Sequence, residues 1–374
     1  MPRVLMAVEP PDGGVAEYVV TLARRLSDHG IDVEVAGPAT GPILDRVAAA
    51  GVPVHRTALR RDYSRPGADA RALRELTRIA RGGRFDLVHC HSAKAGVLGR
   101  IAARAAGLPA VYSPHGFPFV GDVSRKRRVF GLTAERALSH LTARILCVCE
   151  YERSVALGHR VAPAARLQVV LNGTERCDQG LEPDRALAAL RTGGVVAAAV
   201  SALRPGKGLE ALIQAAPAVL ARLPDARIAL VGDGPLRDEL GALAERLGLD
   251  AEERFAFLPY RGPSSRHLRA CDVYVLASSS EALSLGVLEA LACGVPQVVT
   301  RVGGLPEAVD ADTGILVALR DATELTDAIV ALLGDDERRA RLAVASRARH
   351  AARFSLDRMV GETAALYRDV LSGT

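Results

Sequence analysis

Glu281 and Glu289 stand eight residues apart in Glu-Ala-Leu-Ser-Leu-Gly-Val-Leu-Glu, a spacing that can do chemistry. Ser284 is placed to cap a helix beginning just after it, so Glu281 falls in the preceding loop and Glu289 about one turn inside. A carboxylate accepts from hydroxyls, which suits a sugar at the first position and a ribose diol at the second. Between them the helix N-terminus offers free N–H groups and a positive dipole end to a phosphate. Glutamates on a helix are ordinarily solvated, but Leu283, Leu285, Val287, Leu288 and Leu291 surround this pair and argue for burial. Buried carboxylates need partners. Lys207, in Ala202-Leu-Arg-Pro-Gly-Lys-Gly208, follows an apolar run, and its flanking glycines allow backbone and ammonium to approach an anion closely. Lysine is otherwise found only at positions 94 and 126. Together these residues suit a nucleoside diphosphate that carries a sugar.

Other phosphate signatures fail. Gly13-Gly14 and Gly232-Asp-Gly234 lack the third glycine of a dinucleotide fingerprint, and Gly206-Lys207-Gly208 lacks the hydroxyl residue and earlier glycine of a P-loop. Asp310-Ala-Asp312 has a metal-binding spacing but precedes Thr313-Gly314, where Asp is a routine turn residue. No metal site and no cofactor are expected.

The elements that must position these groups alternate. Buried strands are expected at 3–8, 32–36, 52–55, 86–90, 110–113, 145–149 and 168–171, with helices at about 15–26, 43–50, 68–81, 95–106 and 125–143 between them. A second series follows, with strands at 195–200, 227–231, 255–257, 273–276 and 297–299 and helices at 209–223, 235–247 and 285–292. Strand-helix alternation means parallel, doubly wound α/β sheets, here two Rossmann-like domains facing across a cleft, with ligand at the carboxyl ends of both. The domains are expected at 1–175 and 185–352, a polar stretch from 174 to about 183 being the linker and a helix at about 355–374 packing back on the first. The length of 374 residues suits two such domains.

Composition narrows the function. Residues 1–171 carry 25 Lys and Arg against 15 Asp and Glu, whereas residues 172–374 carry 23 against 28. The overall +5 is therefore a basic half joined to an acidic one. The basic half suits an acidic ligand or an anionic membrane surface, while 4% aromatics and no Trp argue against a single-stranded nucleic-acid platform. No apolar run is long enough to span a bilayer and the N-terminus lacks a signal-peptide core, so a cytoplasmic protein is expected. The six cysteines have no paired spacing and are expected as reduced, mostly buried thiols.

The chain resembles the retaining GT-B glycosyltransferases known as glycosyltransferase family four or glycosyltransferases group one. The resemblance covers nearly the whole length. It is carried by Gly13-Gly14, His89-Cys-His91-Ser, Ser113-Pro-His115-Gly116, Val170-Leu-Asn172-Gly173, Lys207-Gly208, Val231-Gly-Asp-Gly-Pro235, the Glu281/Glu289 pair, Ala292-Cys-Gly-Val-Pro296 and Gly303-Gly304 before Glu307. It implies a metal-independent hexosyl transfer from a nucleoside diphosphate sugar, with uridine diphosphate as the expected leaving group, to an acceptor hydroxyl. By that resemblance His115 and Glu281 are the catalytic candidates. Gly14, Arg204, Lys207, Gly232, Ser284, Leu285, Gly286 and Glu289 are the donor-binding ones. The family usually has Arg five residues before the lysine, where this chain has Ala202; Arg204, or Arg3 from the other domain, is the candidate substitute. Cys149 stands where the family often has Ser.

Acceptor groups are expected from the first domain: His91, Lys94, Arg127 and Arg128. Four cations at Arg125–Arg128 in the first turn of a helix oppose its dipole and point to an external anion, a lipid phosphate or a phosphorylated acceptor. A lipid-linked saccharide or surface-polysaccharide precursor, and attachment to the inner face of the cell membrane, follow as expectations. A small natural-product acceptor, a non-hydrolysing nucleotide-sugar epimerase and a sugar-nucleotide-binding protein without turnover stay open.

Overall fold

The computed structural model describes residues 1–60, 66–249 and 253–373. The chain divides into two units, residues 1–171 with 357–374, and residues 172–356.

The first unit holds seven strands, β1 (Arg3–Val8), β2 (Asp32–Pro38), β3 (Val54–Thr57), β4 (Leu87–His91), β5 (Ala110–Ser113), β6 (Arg144–Cys147) and β7 (Leu167–Val169). They form a sheet of order β3-β2-β1-β4-β5-β6-β7, every pairing parallel. The second unit holds β8 (Val195–Val200), β9 (Ala226–Val231), β10 (Phe255–Leu258), β11 (Val273–Leu276), β12 (Gln297–Thr300) and β13 (Gly314–Val317), ordered β10-β9-β8-β11-β12-β13 and also parallel. Parallel strands covered by helices on both faces read as unbroken apolar runs, which is why Arg3–Val8 and Val195–Val200 are so plain in the sequence.

In each sheet the strand order reverses once, at β1/β4 and at β8/β11. Loops leaving the carboxyl ends of the two central strands part there and open a crevice, the usual place for a ligand in such sheets. In the second unit those loops are 201–208, with Lys207, and 277–284, with Glu281. In the first they are the Gly13-Gly14 loop after β1 and the turn after β4 that follows His91.

Several expectations change. Cys177 and Cys293 form a disulfide across 116 residues, so these two are not reduced thiols; Cys90, Cys147, Cys149 and Cys271 are in no disulfide and are buried. The pairing joins the segment after Asn172-Gly173 to the end of the helix Leu285–Cys293, a proximity that only the tertiary fold creates. In the helix Arg125–Ser139, Gly131, Glu135 and Ser139 face inward, while Val129 and Phe130 are 59% and 74% exposed. A charged residue can occupy that inward face because Glu135 is paired. Its carboxylate accepts from Arg100 at 2.9 Å and from the Tyr112 hydroxyl at 2.8 Å. The helix Glu150–Gly158 and the strand β13 have no counterpart among the elements expected from periodicity. No helix of the described residues is long and apolar enough to cross a membrane.

Candidate active site

The second unit brings Lys207 and Glu281 into contact, Nζ to Oε1 at 2.7 Å, from loops 74 residues apart. Two glycines make this possible. Gly208 has φ +66 and a Cβ there would lie 1.9 Å from the Ala277 carbonyl oxygen, so the lysine loop packs directly on the loop after β11. Gly303 has φ +56, and its Cβ would lie 1.7 Å from the carbonyl oxygen of Glu281 itself. Backbone bonds from Ser279 N to Gly206 O and from Gly304 N to Ala282 O lock the three loops together. The Ser278 hydroxyl also donates to Glu281 Oε1, at 2.8 Å. Glu281 thus keeps Oε2 outside these two bonds.

The helix Leu285–Cys293 begins one step beyond. Ser284 occupies the N-cap position in extended conformation, but its hydroxyl caps no N–H, which revises the expected capping role. The helical ladder starts at Leu288 N to Ser284 O, so the N–H groups of Leu285, Gly286 and Val287 have no acceptor within the helix. Those donors and the positive dipole end lie where the loop carrying Glu281 runs into the helix. Glu289 is the fifth residue of the helix and is partly buried among Val287, Leu288, Ala290 and Leu291. Asn172 is buried and donates from Nδ2 to the Leu283 carbonyl at 2.8 Å, so the Asn-Gly motif pins the segment between the two glutamates. Arg204 lies partly buried in the turn that leads to Lys207, and Gly232 directly follows β9, its N–H bonded to Leu258 O.

In the first unit the carboxyl ends of β1, β4 and β5 align, Val8 opposite His91 and His91 opposite Ser113. That register stacks histidines. His91 and His115 rings lie 5.4 Å apart and nearly parallel, with Nδ1 of His91 3.1 Å from Nε2 of His115; Tyr18 meets His115 edge-on at 4.7 Å. Burial drives the imidazolium form out. His115 is pushed down to about 3, and His89 and His91 fall well below the ordinary histidine range, first by desolvation and then by neighbouring histidines. The rings are neutral hydrogen-bonding groups at pH 7. His89 is held by Tyr367 and Ser113, at 2.6 and 2.9 Å.

The acceptor candidates His91 and Lys94 and the diphosphate candidate Arg3 all have partners inside the first unit. His91 is fully buried, with Nδ1 against the His115 ring. Lys94 is 3% exposed with its ammonium on Asp69 at 2.8 Å, tying two helices of the unit together. Arg3 sits at the amino end of β1, away from the crevice at the carboxyl ends of that sheet, and pairs with Glu34. Arg127 and Arg128 are exposed at the start of their helix, Arg128 donating to the Gly121 carbonyl. At Gly14 a Cβ would meet nothing within 4 Å, so no packing inside the protein demands that glycine. Asp310 closes a turn onto Asp312 N and Thr313 and pairs with Arg349, and no group of three His, Cys, Asp or Glu able to hold a metal occurs among the described residues.

A glycosyl transferase 4-like domain profile matches residues 13–173, and a glycosyl transferases group 1 profile matches residues 194–335. The chain belongs to the group 1 glycosyltransferases. It is 31% identical over 95% of its length to a D-inositol 3-phosphate glycosyltransferase of Kribbella flavida, covering 90% of that protein. It is 28% identical over 84% of its length to the Escherichia coli UDP-Gal:alpha-D-GlcNAc-diphosphoundecaprenol alpha-1,3-galactosyltransferase, covering 82% of it. Among solved structures, Anabaena Alr3699/HepE in complex with UDP and glucose superposes with a TM-score of 0.82 at 24% identity, covering 99% of this chain and all of that one. Sucrose-phosphate synthase from Thermosynechococcus elongatus superposes with a TM-score of 0.83 at 21% identity, each chain covered in full. The fold of this glycosyltransferase is GT-B, and the enzyme is a hexosyltransferase.

Proposed function

We propose that this glycosyltransferase moves a hexosyl group from a UDP-sugar, with retention at the anomeric carbon, to a hydroxyl of a lipid-linked saccharide or surface-polysaccharide precursor. The observation that carries the donor half is the Lys207–Glu281 contact beside the open N-terminus of the helix that bears Glu289. The ammonium and the helix N–H groups place positive charge where the departing diphosphate gains negative charge. Glu281 accepts from sugar hydroxyls and Glu289 from the ribose diol. The bond from the anomeric carbon to the diphosphate breaks, the acceptor oxygen attacks on the same face, and its proton passes to the leaving phosphate oxygen. Neutral His115 orients the sugar by hydrogen bonding rather than by donating charge. The Escherichia coli relative, by its name, uses UDP-galactose and a diphosphoundecaprenol acceptor, which agrees with this reading.

The lipid half rests on Arg125–Arg128 standing next to exposed Val129 and Phe130. Cations beside protruding apolar side chains suit an anionic bilayer surface, the cations meeting headgroups and Phe130 the acyl boundary. A second reading has support of its own. The inositol-phosphate relatives suggest a soluble phosphorylated acceptor, which the same cations would meet.

UDP release from UDP-glucose, UDP-galactose and UDP-N-acetylglucosamine separates these, measured without acceptor, with inositol 3-phosphate and with a diphospho-lipid saccharide in detergent. Acceptor-dependent release with an axial anomeric linkage by NMR supports the proposal. An isomerised UDP-sugar formed without acceptor would make the protein an epimerase, and binding without turnover a silent one. Co-sedimentation with vesicles containing anionic lipid, lost in Arg127→Ala/Arg128→Ala/Phe130→Ser, supports the surface assignment; binding independent of both lipid charge and these residues would contradict it.

A further inference from the structure

His115 and Gly116 take consecutive left-handed conformations, φ +54 and +102. For a histidine this backbone is strained and persists only where neighbours over-determine it. The neighbour here is Glu152. It is the third residue of the helix Glu150–Gly158 and 2% exposed, and its two carboxylate oxygens divide their work. Oε1 accepts from the Gly116 N–H at 2.6 Å, and Oε2 accepts from the Val148 N–H at 2.8 Å. One carboxylate thus fastens the peptide that follows His115 to the end of β6.

A buried glutamate is an expensive way to satisfy two amides, because its charge must be taken out of water. The cost is offset by charge-assisted hydrogen bonds and by the position in the first turn of a helix, where the dipole favours an anion. Cys149 at the N-cap makes no side-chain capping bond, so Glu152, not the cap residue, gives this helix its side-chain anchor at Val148. The ring of His115 is fixed on its other sides by His91 and Tyr18. Without Glu152 the ring contacts remain, but the backbone that aims them loses its tie.

We propose that Glu152 is a positioning residue for the transfer step: it holds the His115-Gly116 turn in its left-handed form, and so holds the His115 ring in register for the transferring sugar. The proposal rests on the assignment of His115 to the reaction. Glu152→Ala removes both acceptors; Glu152→Gln keeps the shape and one oxygen and can serve only one of the two amides.

The test measures kcat, KM for donor and acceptor, and UDP affinity by calorimetry in the wild type, His115→Ala, Glu152→Ala, Glu152→Gln and the double variant His115→Ala/Glu152→Ala. Glu152→Ala is expected to lower kcat 10- to 100-fold and Glu152→Gln by less, with UDP affinity within twofold of wild type because the second unit is untouched. In the His115→Ala background Glu152→Ala is expected to cost no more than a further twofold. Full activity in Glu152→Ala, or losses that multiply independently in the double variant, overturns the proposal while leaving the site assignment intact. Wild-type turnover in His115→Ala would overturn the site assignment itself. Where Glu152→Ala fails to fold by circular dichroism, Glu152→Gln alone decides, and unchanged kcat in it counts against the proposal.

Discussion

Replacing Glu281 with Gln isolates the charge at the donor site while conserving shape. In the wild type Oε1 of Glu281 accepts two bonds, from Lys207 Nζ at 2.7 Å and from Ser278 Oγ at 2.8 Å. Gln retains one oxygen that can accept both, so the loop keeps its anchor, but the ion pair is lost. The lysine side chain is 32% exposed and that of Glu281 12%, so solvent screens the pair and the stability loss is expected near 1 kcal/mol rather than the several of a fully buried pair. The functional loss is larger. A hydroxyl donating to a carboxylate is worth about 1.5–3 kcal/mol against about 1 for a neutral partner. One or two sugar hydroxyls on Glu281 therefore carry about 1–3 kcal/mol of the transfer step, a loss of roughly 5- to 150-fold in kcat/KM for the UDP-sugar. UDP alone lacks those hydroxyls and should bind Glu281→Gln within about threefold of the wild type. Calorimetry with UDP and UDP-sugar, initial rates of UDP release and a melting curve give all three numbers. A well-folded Glu281→Gln enzyme with wild-type kcat/KM would refute the placement of the sugar on this carboxylate.

Other outcomes follow from groups outside the donor loop. His89, His91 and His115 are held neutral in the folded state and have ordinary affinity for protons when unfolded. The unfolded state therefore binds more protons as pH falls below about 6.5, and each ring removes about 1.4 kcal/mol of stability per pH unit, down to about pH 3 for His115. Urea midpoints should fall steadily from pH 6.5 to 4.5, and a flat profile would contradict the burial of these rings. Arg100→Met strands the buried Glu135 carboxylate and should cost about 3–5 kcal/mol, whereas Arg100→Met/Glu135→Met should recover most of it in the same denaturation assay. Closing a loop of 116 residues, the Cys177–Cys293 bond should contribute about 2–4 kcal/mol. A dithiol reductant should then lower the melting temperature by about 5–10 °C in the wild type and leave Cys177→Ser/Cys293→Ser unmoved; equal sensitivity of the two would contradict the pairing.

The candidate donor site is legible in the sequence because its chemistry is local. Glu281, Ser284 and Glu289 lie in one loop and helix turn, and the glycines round Lys207 announce a backbone that must pass close to something. What they pass close to is the loop after β11, which the strand order brings alongside. The groups that escaped are those whose partners are distant. Cys177 meets Cys293 only through the fold. Lys94, which looks available in the sequence, is spent on Asp69 in another helix. Arg3 is a cation at the end of a strand, and only the direction of the chain tells which end faces the ligand. The helix Glu150–Gly158, Glu-Tyr-Glu-Arg-Ser-Val-Ala-Leu-Gly, hides because its inward positions include Glu152, a charged residue where periodicity looks for an apolar one.

Everything proposed for the donor side depends on Lys207 meeting the diphosphate. Calorimetric titration of UDP into the wild type and Lys207→Ala tests this most directly, since UDP carries the diphosphate without the sugar. Losing a charge-assisted contact to phosphate should weaken binding by about 1.5–3 kcal/mol, roughly 10- to 150-fold in Kd. Equal affinity in a folded Lys207→Ala protein would contradict it.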